Sequence, residues 1–134
     1  MPADDIKYII DASYILAHIL PDEKVSQVDA VFEKYAQGKI SFVAPLIIPF
    51  EVTNGLRYAV TSKRITKDNA QTLIDDFSRI NIELQEADLK KTLEVSLKIN
   101  CSIYDASYIY LAESLNAPLL TLDKKLKKLT SKKN

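Results

Sequence analysis

The chain has 134 residues, of which 47% are hydrophobic and 27% are charged, and these values are typical of one globular domain with a single core. Its formal net charge is zero, which excludes bulk electrostatic attraction to nucleic acid, so any such contact must come from a local patch. The single cysteine, Cys101, excludes an internal disulfide and argues against a cysteine-based metal site.

The first ten residues, MPADDIKYII, are acidic and lead directly into a short apolar run, so they do not resemble a signal peptide. No apolar run approaches the roughly 18 residues of a membrane span. We therefore expect a protein of the reducing cytoplasm with no membrane association.

The predicted elements alternate between short apolar strands and amphipathic helices. Gly38 ends the first predicted helix, Pro45 stops the second strand, and Thr66 begins a later helix. In chain order the predicted elements are strand 6–10, helix 25–37, strand 40–44, helix 49–62, helix 66–79, strand 81–85, helix 86–99, helix 102–115, strand 118–122 and helix 123–129.

This alternation predicts an α/β fold in which helices cover both faces of a parallel sheet. No linker or repeat divides the chain, so residues 1–134 are expected to form a single domain. Its basic tail, 124–134, carries six lysines. Such a tail is more typical of a solvated or frayed end than of an RNA-binding element.

Four acidic residues stand out by their positions, either next to the end of a predicted strand or in the first turn of a predicted helix. Asp11 ends the first strand and Asp123 follows the last, whereas Glu51 and Asp105 lie in the first turns of helices. Ligands of open parallel sheets bind outside the carboxyl ends of the strands. All four acids are therefore candidates for one edge of the sheet.

Each acid also has a purely structural interpretation. Asp11 could cap a helix that begins at Ala12, and Asp123 could cap the lysine-rich helix. Asp105 could belong to a capping box with Ser102, and Glu51 could favour the positive end of its helix. These roles do not exclude a functional one, because an acid at a helix start can also face a crevice.

Four carboxylates in one crevice would repel each other, at about 4 kcal/mol for two charges 4 Å apart with an effective dielectric near 20. Such a cluster needs protons or a cation. Hard oxygen ligands, without cysteines and with one histidine, favour Mg²⁺ or Mn²⁺ over Zn²⁺.

The segments YIIDAS, PFEVTNGLR, YDASYIYLAE and LLTLDKKL resemble, in order, the four acidic blocks of PIN-domain ribonucleases. They are most similar to the small toxins of VapC-type toxin–antitoxin pairs. The resemblance implies a three-layer α/β/α sandwich with a central parallel sheet of four to five short strands. It also implies a catalytic, metal-binding quartet supported by three polar residues: the acids Asp11, Glu51, Asp105 and Asp123, and the supporting Ser13, Thr121 and Asn54.

The pentapeptide DASYI occurs twice, beginning at Asp11 and at Asp105. The flanking segments do not correspond, so we interpret the repeat as a shared local requirement and not as an internal duplication. That requirement is an acid at a helix start, followed by small residues and an apolar face.

Basic and aromatic residues near these segments are candidates for RNA contacts. The candidates for contacts with the phosphate backbone are Arg57, Lys63, Arg64 and Lys124. A solvated helix face is the favoured interpretation for Lys63 and Arg64. Bases could stack on Tyr14, Tyr104 or Tyr108, although core packing is expected for at least two of these tyrosines. His18 lies in an apolar stretch and is expected to be structural.

The expected activity is that of an endoribonuclease that hydrolyses RNA phosphodiester bonds with Mg²⁺ or Mn²⁺. The expected partners are an RNA substrate, a cognate antitoxin and a second copy of the chain, the last through the apolar helix faces at 25–35 and 56–60. Three alternatives stay open: a PIN nuclease of RNA maturation or decay, a non-catalytic PIN scaffold, and a phospho-acceptor receiver domain. The receiver domain is disfavoured because strand 40–44 ends in Pro45 without an aspartate.

Overall fold

The computed structural model of the chain describes residues 6–131. Four strands and seven helices alternate along this range. In chain order they are β1 (Ile6–Ile10), α1 (Ala12–Ile19), α2 (Ser26–Ala36), β2 (Ile40–Pro45), α3 (Ile48–Thr61), α4 (Lys67–Ser78), β3 (Ile82–Gln85), α5 (Leu89–Ile99), α6 (Ile103–Ser114), β4 (Leu119–Leu120) and α7 (Lys124–Ser131).

The four strands form one parallel sheet in the order β3-β2-β1-β4. Ile6 to Ile9 of β1 pair with Ile40 to Val43 of β2, and Ile9 pairs with Leu119 on the other side. The chain moves outward from β1 to β3 and then returns to the opposite side of β1 with β4. The strand order therefore reverses between β1 and β4, and such a switch point opens a crevice at the carboxyl ends of the strands.

The sheet is covered on both faces because successive strand residues point to opposite sides. Ile10, Phe42 and Ala44 pack with the helices α1 to α4. Ile9 and Val43 face the other way and pack with α5, α6 and α7. This arrangement confirms the predicted α/β fold with a central parallel sheet of four strands.

Most predicted boundaries agree with the structure to within a few residues, and the differences have physical causes. Gly38 has a φ of +75° just after α2, which favours glycine there. Pro45 does not stop β2 but is its last residue, since it can still accept a hydrogen bond through its carbonyl. β4 has two residues where five were predicted. The sequence pattern indicated where α1 begins but not where it ends.

The helix faces at 25–35 and 56–60 were misinterpreted as surface for a homodimer, because they contribute Val28, Phe32 and Leu56 to the core. The helix predicted over 123–129 is present as α7, and the lysines at 124–128 are solvated as expected. This part of the tail is not frayed, because Leu126 and Leu129 are buried in the second core. The lysines at 132 and 133 lie outside the described residues.

Within residues 6–131, no helix combines the length and the apolar character that crossing a lipid bilayer requires.

Candidate active site

Asp11 is buried at the switch point, at the end of β1 and the start of α1, with 5% of its surface exposed. Its Oδ1 accepts hydrogen bonds from the Ser13 hydroxyl at 2.7 Å and from the Tyr14 backbone N–H at 3.1 Å. Its Oδ2 accepts a hydrogen bond from the Thr121 hydroxyl. Asp11 therefore caps α1, as its structural interpretation predicted, and its carboxylate is also held in one orientation by three donors.

The two hydroxyls that bind Asp11 are themselves fixed by the segment after β4. The Leu122 backbone N–H donates to Ser13 Oγ at 2.9 Å, and the Asp123 backbone N–H donates to Thr121 Oγ1 at 3.0 Å. Ser13 and Thr121 therefore join the carboxyl ends of β1 and β4. Both were predicted as supporting residues, and the structure places both in direct contact with Asp11.

Glu51 lies in the first turn of α3 and is half-buried. Its Oε1 accepts a hydrogen bond from the Tyr108 hydroxyl at 2.5 Å, and Tyr108 itself is 2% exposed on α6. From the sequence, Tyr108 was a candidate for base stacking or core packing and not a support for Glu51. The available signal was its spacing, since a residue three positions after Asp105 on a helix lies on nearly the same face.

Asp105 and Asp123 occupy two further helix starts. Asp105 is half-buried in the first turn of α6, where its backbone N–H donates to the Ser102 hydroxyl at 3.0 Å. Ser102, not Asp105, is thus the residue that caps α6. Asp123 is exposed, and its Oδ1 accepts a hydrogen bond from the Leu126 backbone N–H at 3.1 Å. Asp123 therefore caps α7, as its structural interpretation predicted.

The pKa values of three of these acids are raised, and the charge of at least one other acid of the group contributes to each shift. Burial is the main cause that raises the pKa of Asp11, and the charge of Asp123 raises it further. Burial also raises the pKa of Glu51, and the charges of Asp11 and Asp105 add to this effect. Burial and the charge of Asp123 raise the pKa of Asp105. Each acid thus interacts electrostatically with two others, as expected for acids placed around one crevice.

Basic residues do little to neutralise this crevice. Within residues 6–131, none of the four acids forms an ion pair with a lysine or arginine, although Lys125 lies near enough to lower the pKa of Asp105. Unpaired, partly buried carboxylates are costly. The donor set therefore fits a hard divalent cation, which would relieve the repulsion.

The acids do not, as they stand, form a closed metal cage. In the described part of the chain, no three histidine, cysteine or carboxylate side chains are grouped in a metal-binding arrangement. This geometry is compatible with Mg²⁺, which keeps several of its waters and takes one or two carboxylates directly.

The other candidate residues differ in their surroundings. Tyr14 and Tyr108 are buried, as expected for at least two of the tyrosines, whereas Tyr104 is 59% exposed. His18 stacks on Phe32, with the ring centroids 3.7 Å apart, in agreement with a structural role. The Arg64 guanidinium binds Asp22 and Glu23 at 2.7–2.8 Å, so it is engaged in an ion-pair cluster away from the acids.

Three predicted site residues are exposed and stay predictions. Asn54 lies one turn after Glu51 on α3, but within residues 6–131 no hydrogen bond joins it to any of the four acids. Arg57 follows one turn later on the same helix, and Lys124 directly follows Asp123.

Comparisons with known proteins agree with this architecture. Ribonuclease VapC3 of Pyrobaculum aerophilum is 29% identical over 126 residues, which cover 90% of this chain and 92% of that protein. The crystal structure of PAE2754 from Pyrobaculum aerophilum superimposes with a TM-score of 0.71 at 24% identity and covers 92% of this chain and 84% of that one. A structure of VapBC2 from Rickettsia felis, bound to a DNA fragment from its promoter, has a TM-score of 0.66 at 18% identity, with coverages of 92% and 93%.

The PIN domain profile matches residues 8–132. This range includes all four strands apart from the first two residues of β1, and all four acids of the crevice. The chain belongs to the PIN domain family.

Proposed function

We propose that this chain is a divalent-metal-dependent endoribonuclease and the toxin of a toxin–antitoxin pair. The observation that carries the proposal is the grouping of acids at the switch point of the sheet, where burial and the charges of neighbouring acids raise the pKa values of Asp11, Glu51 and Asp105. The similarity to Ribonuclease VapC3 over most of both chains supports the reaction class. Membership of the PIN family removes the receiver-domain alternative.

The cofactor in this proposal is Mg²⁺ or Mn²⁺, held by Asp11 and Asp105 with Glu51 and Asp123 completing the site directly or through water. A bound divalent cation supplies charge neutralisation for the scissile phosphate and a more acidic water. The protein contributes orientation. Ser13, Thr121 and the Tyr14 N–H fix the Asp11 carboxylate.

Tyr108 binds one oxygen of Glu51 and so leaves Oε2 available to the crevice. No side chain is needed as a general base in this proposal. Exposed Arg57 and Lys124 contact the RNA backbone, and exposed Tyr104 is the remaining candidate for base stacking.

The proposed partners are the RNA, a cognate antitoxin and a second copy of the chain. The VapBC2 complex is a structural neighbour and supports the antitoxin. The homodimer remains part of the proposal, although the two helix faces that first suggested it are buried in the core.

The direct test is cleavage of single-stranded and loop RNA by the purified chain with Mg²⁺ or Mn²⁺. We expect EDTA to stop cleavage, and Asp11→Asn or Asp105→Asn to reduce it by at least about 10²-fold. Full activity in excess EDTA would refute the metal mechanism. Folded protein without cleavage in either metal would favour the non-catalytic scaffold.

The toxin role has its own test. Induced expression of the chain should arrest growth of a bacterial host, and co-expression with a cognate antitoxin should restore it. Cleavage in vitro without growth arrest would favour a nuclease of RNA maturation or decay.

A further inference from the structure

Three aromatic side chains in the described part of the chain are exposed: Phe50, Tyr58 and Tyr104, at 75%, 65% and 59%. They lie on the two helices that carry Glu51 and Asp105. Phe50 directly precedes Glu51 in the first turn of α3, and Tyr104 directly precedes Asp105 in the first turn of α6. Tyr58 lies about two turns after Phe50 on α3. The other aromatic rings are at least partly buried, so exposed rings concentrate beside the candidate active site.

Phe50 and Tyr58 share the outer face of α3 with Asn54 and Arg57. The four residues follow the helical spacing i, i+4, i+7 and i+8, and all of them are exposed. The opposite face of the helix packs in the first core, for example through Leu56. A single exposed aromatic residue needs no explanation, but two on one face, with an arginine beside them, form a platform on which bases can stack.

The charge of this face suits a polyanion. Glu51 and Arg57 are the only charged residues of α3, and Glu51 is engaged with Tyr108 at the crevice. Within residues 6–131, Arg57 forms no ion pair with an acid, so its guanidinium is available to a phosphate. Because the chain has a formal net charge of zero, RNA has to be held by such a local patch and not by bulk attraction.

We propose that the outer face of α3, formed by Phe50, Asn54, Arg57 and Tyr58, is a track that binds an unpaired segment of RNA leading away from the scissile phosphate. The inference deepens the proposed ribonuclease activity and rests on it, because the track begins beside Glu51. Stacking on the two rings gives affinity that tolerates different base sequences. Arg57 holds the backbone between the stacked bases, and the Asn54 amide hydrogen-bonds with a base edge.

The spacing of the two rings favours single strands. Eight residues of an α-helix span about 12 Å, whereas successive nucleotides in one strand of a duplex advance by about 3.4 Å. Bases on Phe50 and Tyr58 are therefore not neighbours in one stack, and the strand between them has to be splayed open. A paired strand keeps its bases inside the duplex and offers no free base face to these rings. The track therefore selects loops and single-stranded regions.

The first experiment uses tryptophan as a reporter, because the chain contains none. In Tyr58→Trp, a single-stranded RNA of about ten nucleotides should quench the fluorescence to a saturating level by stacking. EDTA prevents metal-dependent cleavage during the titration. Ile6→Trp is the matched control and should not be quenched, since Ile6 is 53% exposed at the amino end of β1. Absence of quenching in Tyr58→Trp overturns the proposal, as does equal quenching by the same RNA in a blunt duplex.

The second experiment measures affinity for the same RNA, carrying a fluorescent label, by anisotropy in EDTA. Phe50→Ala and Tyr58→Ala should each weaken binding about 10-fold, whereas Tyr58→Phe should bind as the unaltered chain does, because it keeps the ring. Arg57→Gln should lower the slope of log K against log salt by about 0.7, and Arg57→Lys should keep the original slope. All of these side chains are exposed, so the circular dichroism spectra should not change.

Binding and cleavage assays together separate this inference from the proposed function. If the unaltered chain cleaves RNA with Mg²⁺ or Mn²⁺, and both alanine variants bind and cleave equally well, the track is overturned and the ribonuclease stands. If the alanine variants lose affinity but even the unaltered chain cleaves no RNA, the track stands and the ribonuclease fails. If the alanine variants bind RNA normally but escape neutralisation by a cognate antitoxin, the face binds protein and the track is overturned.

Discussion

The two copies of the pentapeptide DASYI place the same residues in different roles. Asp11 precedes α1 as its N-cap, whereas Asp105 is the third residue of α6, whose N-cap is Ser102. Both tyrosines that follow three positions later are buried. Only the hydroxyl of Tyr108 reaches another acid of the crevice, Glu51. The repeat thus reflects a common way to begin a buried helix, and the contacts of each copy depend on the neighbouring elements.

Tyr108→Phe should weaken divalent-metal binding. The variant removes the only hydrogen bond to Glu51 Oε1 that the structure records, so the carboxylate becomes less well oriented and its pKa rises further. We expect Mn²⁺ affinity, measured by electron paramagnetic resonance, to fall about 10- to 100-fold, with a comparable loss of RNA cleavage.

Tyr14→Phe is the matched control for this prediction, because Tyr14 is equally buried and its recorded contact with the acids uses the backbone N–H. If Tyr108→Phe binds Mn²⁺ as tightly as Tyr14→Phe does, Tyr108 only fills space in the core.

The raised pKa of Glu51 predicts how stability depends on pH in the absence of metal. Because its pKa is higher in the folded than in the unfolded chain, Glu51 favours folding at pH values below its unfolded pKa, about 4.3, and this contribution is lost as pH rises through the folded pKa. In EDTA, the melting temperature of Glu51→Gln minus that of the unaltered chain should therefore increase from acidic to neutral pH. Thermal melts at several pH values measure this difference, and a constant difference would contradict the shift.

At the scale of elements, the sequence predicted best those helices that have a solvated face. α2 and α4 show clear helical periodicity because one side of each is exposed. α1 has buried residues on several sides, Tyr14, Ile15 and Ala17, so its period is obscured and only its start was anticipated. β4 is short because its recorded pairing is limited to two positions of β1, which an apolar run of five residues cannot reveal.

Gly55 lies where α3 packs against α1, and Gly55→Ala tests this contact. A Cβ at position 55 would come within 2.3 Å of Leu16 Cδ1, so the leucine would have to move. Alanine normally stabilises a helix interior by about 1 kcal/mol relative to glycine. Here we expect Gly55→Ala to destabilise the protein instead, so that its free energy of unfolding, measured by urea denaturation, is lower than that of the unaltered chain.

The control for this prediction is the same substitution in a Leu16→Ala background, which removes the obstructing side chain. In that background, Gly55→Ala should raise the free energy of unfolding, as alanine normally does in a helix. The effects of the two substitutions on the free energy of unfolding should therefore not be additive. Additive effects of the two substitutions would show that the helices tolerate the extra methyl group without rearrangement.

α7 packs against the second core through its leucines, although its lysines are solvated. Leu126 is 2% exposed, so Leu126→Ala should destabilise the fold by about 2–5 kcal/mol. Lys128→Ala, at an exposed position of the same helix, should stay within about 0.5 kcal/mol. Chemical denaturation compares the two variants, and equal small effects would mean that α7 is not part of the folded core.

At the scale of the whole molecule, the topology explains why residues distant in sequence share one crevice. All four strands are parallel and β1 lies between β2 and β4, so the segments after β1, β2 and β4 emerge at one edge. Asp11, Glu51 and Asp123 follow these strands, so the sequence could assign them to this edge, whereas Asp105 lies in α6, which follows a helix. The hydrogen bonds from Thr121 to Asp11 and from Tyr108 to Glu51 could not be predicted, because they depend on the distances between elements that the sequence pattern does not specify.

Convergence of the acids has a consequence for the stability of the metal-free protein. In EDTA their repulsion is relieved only by protons, so neutralising one member should stabilise the fold at neutral pH. Asp105→Asn is the clearest variant, because Ser102 caps α6 and remains in place. Asp11→Asn is harder to interpret, because the Asp11 carboxylate accepts three hydrogen bonds. The NH₂ group of an asparagine would face one of these three donors and could not accept its hydrogen bond.

Thermal melting of the unaltered chain and of Asp105→Asn, each in EDTA and in millimolar Mg²⁺, tests this consequence. Metal stabilises the folded state by RT ln(1 + [L]/Kd), so the unaltered chain should gain more from Mg²⁺ than the variant, whose lost ligand raises Kd. In EDTA, without metal to relieve the repulsion, Asp105→Asn should melt at a higher temperature than the unaltered chain. Asp68→Asn, at an exposed position in the first turn of α4, is the control and should respond to Mg²⁺ as the unaltered chain does. If Asp105→Asn melts lower in EDTA and neither protein responds to Mg²⁺ or Mn²⁺, the four acids act as separate helix-start residues and do not form a metal site.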